Sequence, residues 1–222
     1  MEIRITSDKD PFLILLLSDT HVFRSGAGLP PAFLERFRGD GPDMILHCGD
    51  VSVPSLLEEL GKIAPVYAVR GNRDLLLWNR LPPFIDFDLK GFRIHAEHGQ
   101  GGLLQYLRSK TCFMVRQLMR RPFDPDRVVS LRDDFSGIGI YCFGHSHVRK
   151  VCLRKGTVFV NPGHINTTGT FEPENPPSYA LLGIASGHIF VRISVYSDGS
   201  FSETEYNYSR NDGSSVREMP GK

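Results

Sequence analysis

Six consecutive apolar residues, Phe12–Leu17, stop abruptly at Ser18-Asp19. A run of that length without a polar break suits a strand covered on both faces, which requires a sheet inside a layered domain. The pattern recurs. Residues 44–48 form a second strand-like run that stops at Gly49-Asp50, and residues 65–69 a third that stops at Gly71-Asn72. Between them, residues 30–37 and Pro54–Leu60 have helical character, the second with Ser52 as the expected N-cap. Strand, helix and strand in succession predict βαβ units with parallel pairing.

Beyond residue 80 the texture changes. Residues 84–89 alternate, turn at Lys90-Gly91 and return over 92–96, as a hairpin does. Residues 139–143 predict a strand ending at Gly144-His145. Residues 151–153, 158–160, 179–184, 188–196 and 201–208 predict five more. So many strands with few helices call for two mixed sheets packed face to face with helices outside. One domain over residues 1–208 is expected, followed by a flexible tail over 209–222. Residues 103–121, inside a basic insertion at about 100–135, are expected to be helical. They carry Arg108, Lys110, Arg116, Arg120 and Arg121 and no acid. Three uses compete for this segment: packing on the domain, capping a site for anionic substrates, or peripheral contact with an anionic membrane or partner.

A hydrophobic share of 41% over 222 residues supports a sizeable core. A net charge of +1 argues against dedicated nucleic-acid binding. The four cysteines lack CxxC spacing, which points to reduced thiols and a cytoplasmic chain. The sequence shows no signal-peptide pattern and no apolar stretch near the ~20 residues that a membrane span needs.

The polar residues at the strand ends carry the chemistry. They are Asp19 and His21, then Asp50, then Asn72, then His98 shortly after residues 92–96, then His145 and His147. Ligands gather at the carboxyl ends of parallel strands, so these tips are expected to converge on one crevice. Asp supplies charged oxygen, Asn neutral oxygen and His nitrogen, a set suited to hard or borderline divalent ions. No cysteine belongs to it, which argues against a closed structural zinc site. Asp19 and His21, and likewise His145 and His147, are two residues apart, so in an extended chain each pair points the same way.

Ser18-Asp19-Thr20-His21, Gly49-Asp50, Gly71-Asn72, His98 and Gly144-His145-Ser146-His147, in that order, resemble the calcineurin-like metallophosphoesterase superfamily. Phe143-Gly144-His145-Ser146-His147 followed by Asn161-Pro162-Gly163 is similar to its small single-domain phosphodiesterase branch. The resemblance implies a four-layer α/β/β/α sandwich with a dinuclear centre between the sheets. By position, Asp19, His21 and His147 would take one metal, Asn72, His98 and His145 the other, and Asp50 would bridge them. Manganese is the metal most expected, with iron, zinc, nickel or cobalt as alternatives. A hydroxide bridging the metals would attack the phosphorus of a small phosphate ester, a diester more than a monoester, with Asp50, Asn72, Arg73 and His98 as catalytic residues.

Larger relatives place a histidine after the asparagine, where this chain has Arg73. A guanidinium does not give up a proton near neutral pH, but it can clamp a phosphate oxygen. The competing reading is a surface Arg73 paired with Asp74. His164 follows Asn161-Pro162-Gly163, where relatives usually have serine, and is a second candidate to line a substrate pocket. Two other functions stay open. One is a non-catalytic interaction scaffold, as in the retromer subunit of this fold. The other is a nucleotide-specific phosphohydrolase. A homo-oligomer is compatible with either.

Overall fold

A computed structural model describes residues 1–22, 28–77, 79–101, 111, 129, 131, 134–165, 175–211 and 215–218. Among the described residues, thirteen strands fall into two mixed sheets. The first has the order β1 (Glu2–Arg4), β5 (Phe84–Leu89), β6 (Phe92–Glu97), β7 (Ile140–Cys142), β9 (Thr157–Asn161), β8 (Lys150–Arg154). The second runs β13 (Ser215–Glu218), β12 (Ser200–Asn211), β11 (His188–Ser197), β10 (Ser178–Ala185), β2 (Phe12–Leu17), β3 (Met44–His47), β4 (Val66–Ala68). Within these, β2, β3 and β4 run parallel, as do β6, β7 and β9. The two parallel trios place the ends carrying Asp19, Asp50, Asn72, His98 and His145 where a shared site can form.

Strand periodicity decides the layering. Ile14 and Leu16 of β2 join the cluster between the sheets, with Ile94 of β6, Ile140 of β7 and Val160 of β9. Leu15 and Leu17 point the other way, into a cluster with Phe33 and Phe37 of α1 (Pro31–Asp40) and Leu56 and Leu60 of α2 (Pro54–Leu60). Each face of β2 is therefore covered, which explains its unbroken apolar run. A third cluster, with Tyr141, Phe143 and Phe159, lies on the outer face of the first sheet. Apart from Thr111, which is helical, the segment expected as a helix at 103–121 lies outside the described residues, so three of the four expected layers are described. Leu16 is 0% exposed and Leu75 is 75% exposed. Leu16→Ala is expected to cost ~2–5 kcal/mol in urea unfolding, and Leu75→Ala less than ~0.5 kcal/mol.

Two expectations are corrected. The N-cap of α2 is Val53, with no side-chain cap bond. Ser52 instead sits at φ 74° and gives its amide to Asp74. Part of the stretch read as a tail is strand: β12 runs to Asn211, and β13 pairs with it antiparallel from Ser215 to Glu218. The charged N-terminus contributes β1, a three-residue edge strand parallel to β5.

Candidate metal centre

The chain leaves three of the parallel strands, β2, β3 and β7, in an unusual conformation. Asp19, His21, Asp50, His145 and His147 all have left-handed backbones, with φ between 49° and 69°. The expectation that Asp19 and His21, or His145 and His147, lie in extended chain is therefore wrong. The loops curl back, and Asp19 and His21 donate their amides to the carbonyls of Gly49 and Asp50. Asp and His tolerate this region better than most residues, yet each such residue costs ~1–3 kcal/mol, so the surrounding contacts must hold it.

Those contacts bring the candidate ligands together. His147 Nε2 lies 3.0 Å from His21 Nε2 and 3.3 Å from Asp19 Oδ1. His98 Nε2 lies 3.2 Å from Asn72 Oδ1, 3.3 Å from His145 Nδ1 and 3.6 Å from Asp50 Oδ1. Two donor groups result: Asp19, His21 and His147, and Asp19, Asp50 and His98. Asp19 belongs to both, whereas the resemblance gave the bridging position to Asp50. Asp50 also reaches across, with Oδ2 3.8 Å from His21 Nδ1.

The electrostatics call for positive charge. His98 Nδ1 donates to the Cys48 carbonyl at 2.7 Å, which turns Nε2 toward Asn72, Asp50 and His145. Asp19 Oδ1 is fully buried and has no hydrogen-bond partner among the described residues. Burial works to raise the Asp19 carboxyl, but His147 and His98 outweigh it and hold it well below the carboxylate range. Burial raises Asp50. Burial would lower His98 and His147, yet Asp50 and Asp19 raise the first and Asp19 raises the second. Protons are drawn to the places where a cation would satisfy every donor, so the residues present fit divalent ions.

Burial pushes His21 down to about 3. It also pushes His47 down to about 4, with Asp74 offsetting part of the effect. His47 Nε2 lies 3.2 Å from the Thr20 hydroxyl, behind the ligands. An unfolded imidazole takes up a proton near pH 6.5, whereas folded His47 stays neutral to about pH 4. Its contribution to stability is thus full above pH 6.5 and shrinks as pH falls toward 4. Metal-free protein is expected to lose ~2 kcal/mol from this group between pH 7 and pH 5, and His47→Gln to flatten that slope in denaturant melts.

Two glycines owe their identity to close approach rather than to φ. A Cβ on Gly144 would lie 1.9 Å from Ser18 Oγ and 2.7 Å from Asp19 Oδ2. A Cβ on Gly71 would lie 2.2 Å from Asp50 Oδ1. Gly144→Ala is expected to reduce bound metal at unchanged protein concentration, read by elemental analysis after dialysis.

Arg73 lies at the rim. Its amide donates to Asp50 Oδ1 at 2.8 Å, and its side chain, 45% exposed, places Nε 4.0 Å from Asp50 Oδ2. The Asp74 carboxylate of the competing reading is buried and accepts from the amides of Asp50, Ser52 and Gly71. His164 is buried beside His147, ring centroids 5.5 Å apart, with Nε2 donating to the Asn175 carbonyl.

Sequence reasoning missed Asp74 and Asn175. Asn175 donates to the His147 carbonyl and accepts from Arg149. An acid just after a Gly-Asn turn was a usable signal for Asp74, because short carboxylates often cap such turns. Nothing in the sequence around Asn175 marked it.

A family model described as the calcineurin-like phosphoesterase superfamily domain matches residues 12–187. The chain belongs to that superfamily. It is 31% identical over 151 residues to a protein of Methanothermobacter thermautotrophicus named "Probable metallophosphoesterase", covering 68% of this chain and 76% of that one. A counterpart in Methanocaldococcus jannaschii is 27% identical over 151 residues, covering 68% and 67%. Among solved structures, Vacuolar Protein Sorting 29 from Cryptosporidium parvum shares the fold at a TM-score of 0.67 and 22% identity, covering 91% of this chain and 100% of that one. Wild-type Vps29 from Entamoeba histolytica, solved with zinc, does so at 0.62 and 22%, covering 88% and 98%. No helix among the described residues is long and apolar enough to cross a membrane.

Proposed function

We propose that this chain is a dinuclear metal-dependent phosphoesterase that hydrolyses small phosphate esters, phosphodiesters in particular. The observation that carries the reading is Asp19, which belongs to both donor groups and whose buried Oδ1 has no hydrogen bond among the described residues, its His147 contact being an ion pair at 3.3 Å. Asp19, His21 and His147 would hold one ion, and Asn72, His98 and His145 the other, with Asp50 between. Manganese is the metal of choice, with iron, zinc, nickel or cobalt as substitutes. When bound, such a pair supplies an acidified water and positive charge for the phosphoryl oxygens.

The chain's own groups do the rest. The Cys48 carbonyl holds the His98 ring so that Nε2 faces the centre. The Arg73 amide fixes the Asp50 carboxylate, and its guanidinium, half out in solvent, offers a fork to a phosphate oxygen. A guanidinium is no practical acid, so Arg73 does not protonate the departing oxygen. Leaving groups that depart without help are therefore favoured. His164, with Nε2 spent on Asn175, supports His147 rather than supplying a free proton to substrate. The buried free thiols Cys48 and Cys142 suit the cytoplasm.

Bis(4-nitrophenyl) phosphate with Mn²⁺ at neutral pH is the direct test. Turnover above the metal-only background is expected, and no turnover with any divalent ion favours the scaffold reading. Arg73→His is expected to weaken the dependence of rate on leaving-group pKa across a series of aryl esters. An unchanged dependence removes the leaving-group argument.

A further inference from the structure

We propose that Asp74 is a positioning residue that sets Asp50 and Asn72 for metal binding, an inference that rests on the dinuclear reading above. Asp74 belongs to neither donor group, and its carboxylate is fully buried. Three backbone amides from two separate loops converge on it. Oδ2 accepts from Asp50 at 2.9 Å and Gly71 at 2.7 Å, and Oδ1 accepts from Ser52 at 2.7 Å. The Asp50 carboxylate returns the link by accepting the Arg73 amide at 2.8 Å. The loop after β3 and the loop after β4 are thereby laced together by hydrogen bonds to two carboxylates.

What the lacing holds is strained. Asp50 and Ser52 have φ of 58° and 74°. Left-handed residues of this kind persist only where surrounding contacts over-determine them, and charge-assisted bonds are about twice as strong as neutral ones. Asn72 lies inside the turn that the Gly71 amide closes onto Asp74, and this turn carries Asn72 Oδ1 to 3.2 Å from His98 Nε2. Losing the Asp74 acceptor therefore releases Asp50 and Asn72 together. The amides that Asp74 accepts belong to the loops that carry Asp50 and Asn72, so the Asp19, His21 and His147 group loses less.

Asp74→Asn keeps the shape and breaks the pattern. An amide nitrogen at Oδ2 would face the amides of Asp50 and Gly71, and at Oδ1 that of Ser52. Mn²⁺ binding to the full chain, measured by equilibrium dialysis with elemental analysis, is expected to show one of two ions weakened ~10–100-fold and the other retained. Turnover of bis(4-nitrophenyl) phosphate is expected to recover as Mn²⁺ is raised to saturate the weakened site. Asp43→Asn is the control. Asp43 accepts the Leu13 amide at 2.9 Å at the opposite end of β2, and its loss is expected to lower the melting temperature without moving Mn²⁺ affinity. The proposal is overturned if Asp74→Asn lowers the melting temperature but binds both ions as tightly as the parent. Should Asp74→Asn fail to fold, Asp74→Glu, which keeps the charge and displaces the oxygens, is judged by the same criterion. A parent that binds two ions but hydrolyses nothing defeats the phosphoesterase reading and leaves Asp74 standing. A parent that binds none defeats both.

Discussion

Asp19→Asn is expected to lower kcat/KM for bis(4-nitrophenyl) phosphate by at least ~10²–10³-fold, the scale seen when one preorganised electrostatic group is lost from a site. The two carboxylate oxygens have separate tasks. Oδ2 accepts the Ser18 hydroxyl at 2.6 Å and the His145 amide at 2.9 Å. Oδ1 lies 3.3 Å from His147 Nε2, 3.8 Å from His21 Nε2 and 3.9 Å from His98 Nε2. An asparagine cannot serve both. With its nitrogen at the Oδ1 position it offers protons where a cation belongs, and with its nitrogen at Oδ2 it faces the amide of His145. Either orientation removes the charge common to both donor groups. Circular dichroism that matches the parent, alongside the lost turnover, is the expected pair of results. Parent-level turnover in a folded Asp19→Asn variant would contradict the assignment.

The second large effect is on stability. Without cations, buried carboxylates and imidazoles face one another with incomplete partners, and unfolding relieves that cost. An ion present at 100 times its dissociation constant stabilises the native state by ~2.7 kcal/mol. For a chain of this length that corresponds to a rise in melting temperature of ~5–10 °C. Differential scanning fluorimetry with Mn²⁺ is expected to show this rise, chelator to reverse it, and Asp19→Asn to show little of it. A parent that melts at one temperature with and without Mn²⁺ would mean that the donors do not bind it.

Much of this was legible beforehand, for a physical reason. A strand buried on both faces has few alternatives to an unbroken apolar run, so β2 and β3 announced themselves and their ends marked the candidate site. The hairpin of β5 and β6 was equally plain from alternation across Lys90-Gly91. The local backbone was not legible. Asp19, His21, His145 and His147 are common in many conformations, and only the loop-to-loop bonds of the folded chain select the left-handed one. Asp74 entered only as the partner of Arg73 in a competing reading, because the amides it accepts are not displayed by residue identities. Ser52 looked like a cap for the same reason. Glu2-Ile3-Arg4 is too short and polar to signal a strand, and it is one only because β5 offers an edge. The pairing of β12 with β13 was hidden by a polar composition that suits a tail.

The central claim is that seven side chains meet around two cations. A crystal grown or soaked with Mn²⁺, measured at a wavelength where manganese scatters anomalously, tests it most directly. Two peaks ~3.5–4 Å apart, bounded by Asp19, His21, Asp50, Asn72, His98, His145 and His147, are expected. Peaks elsewhere, or no peak at this place in a protein loaded with Mn²⁺, would contradict the account.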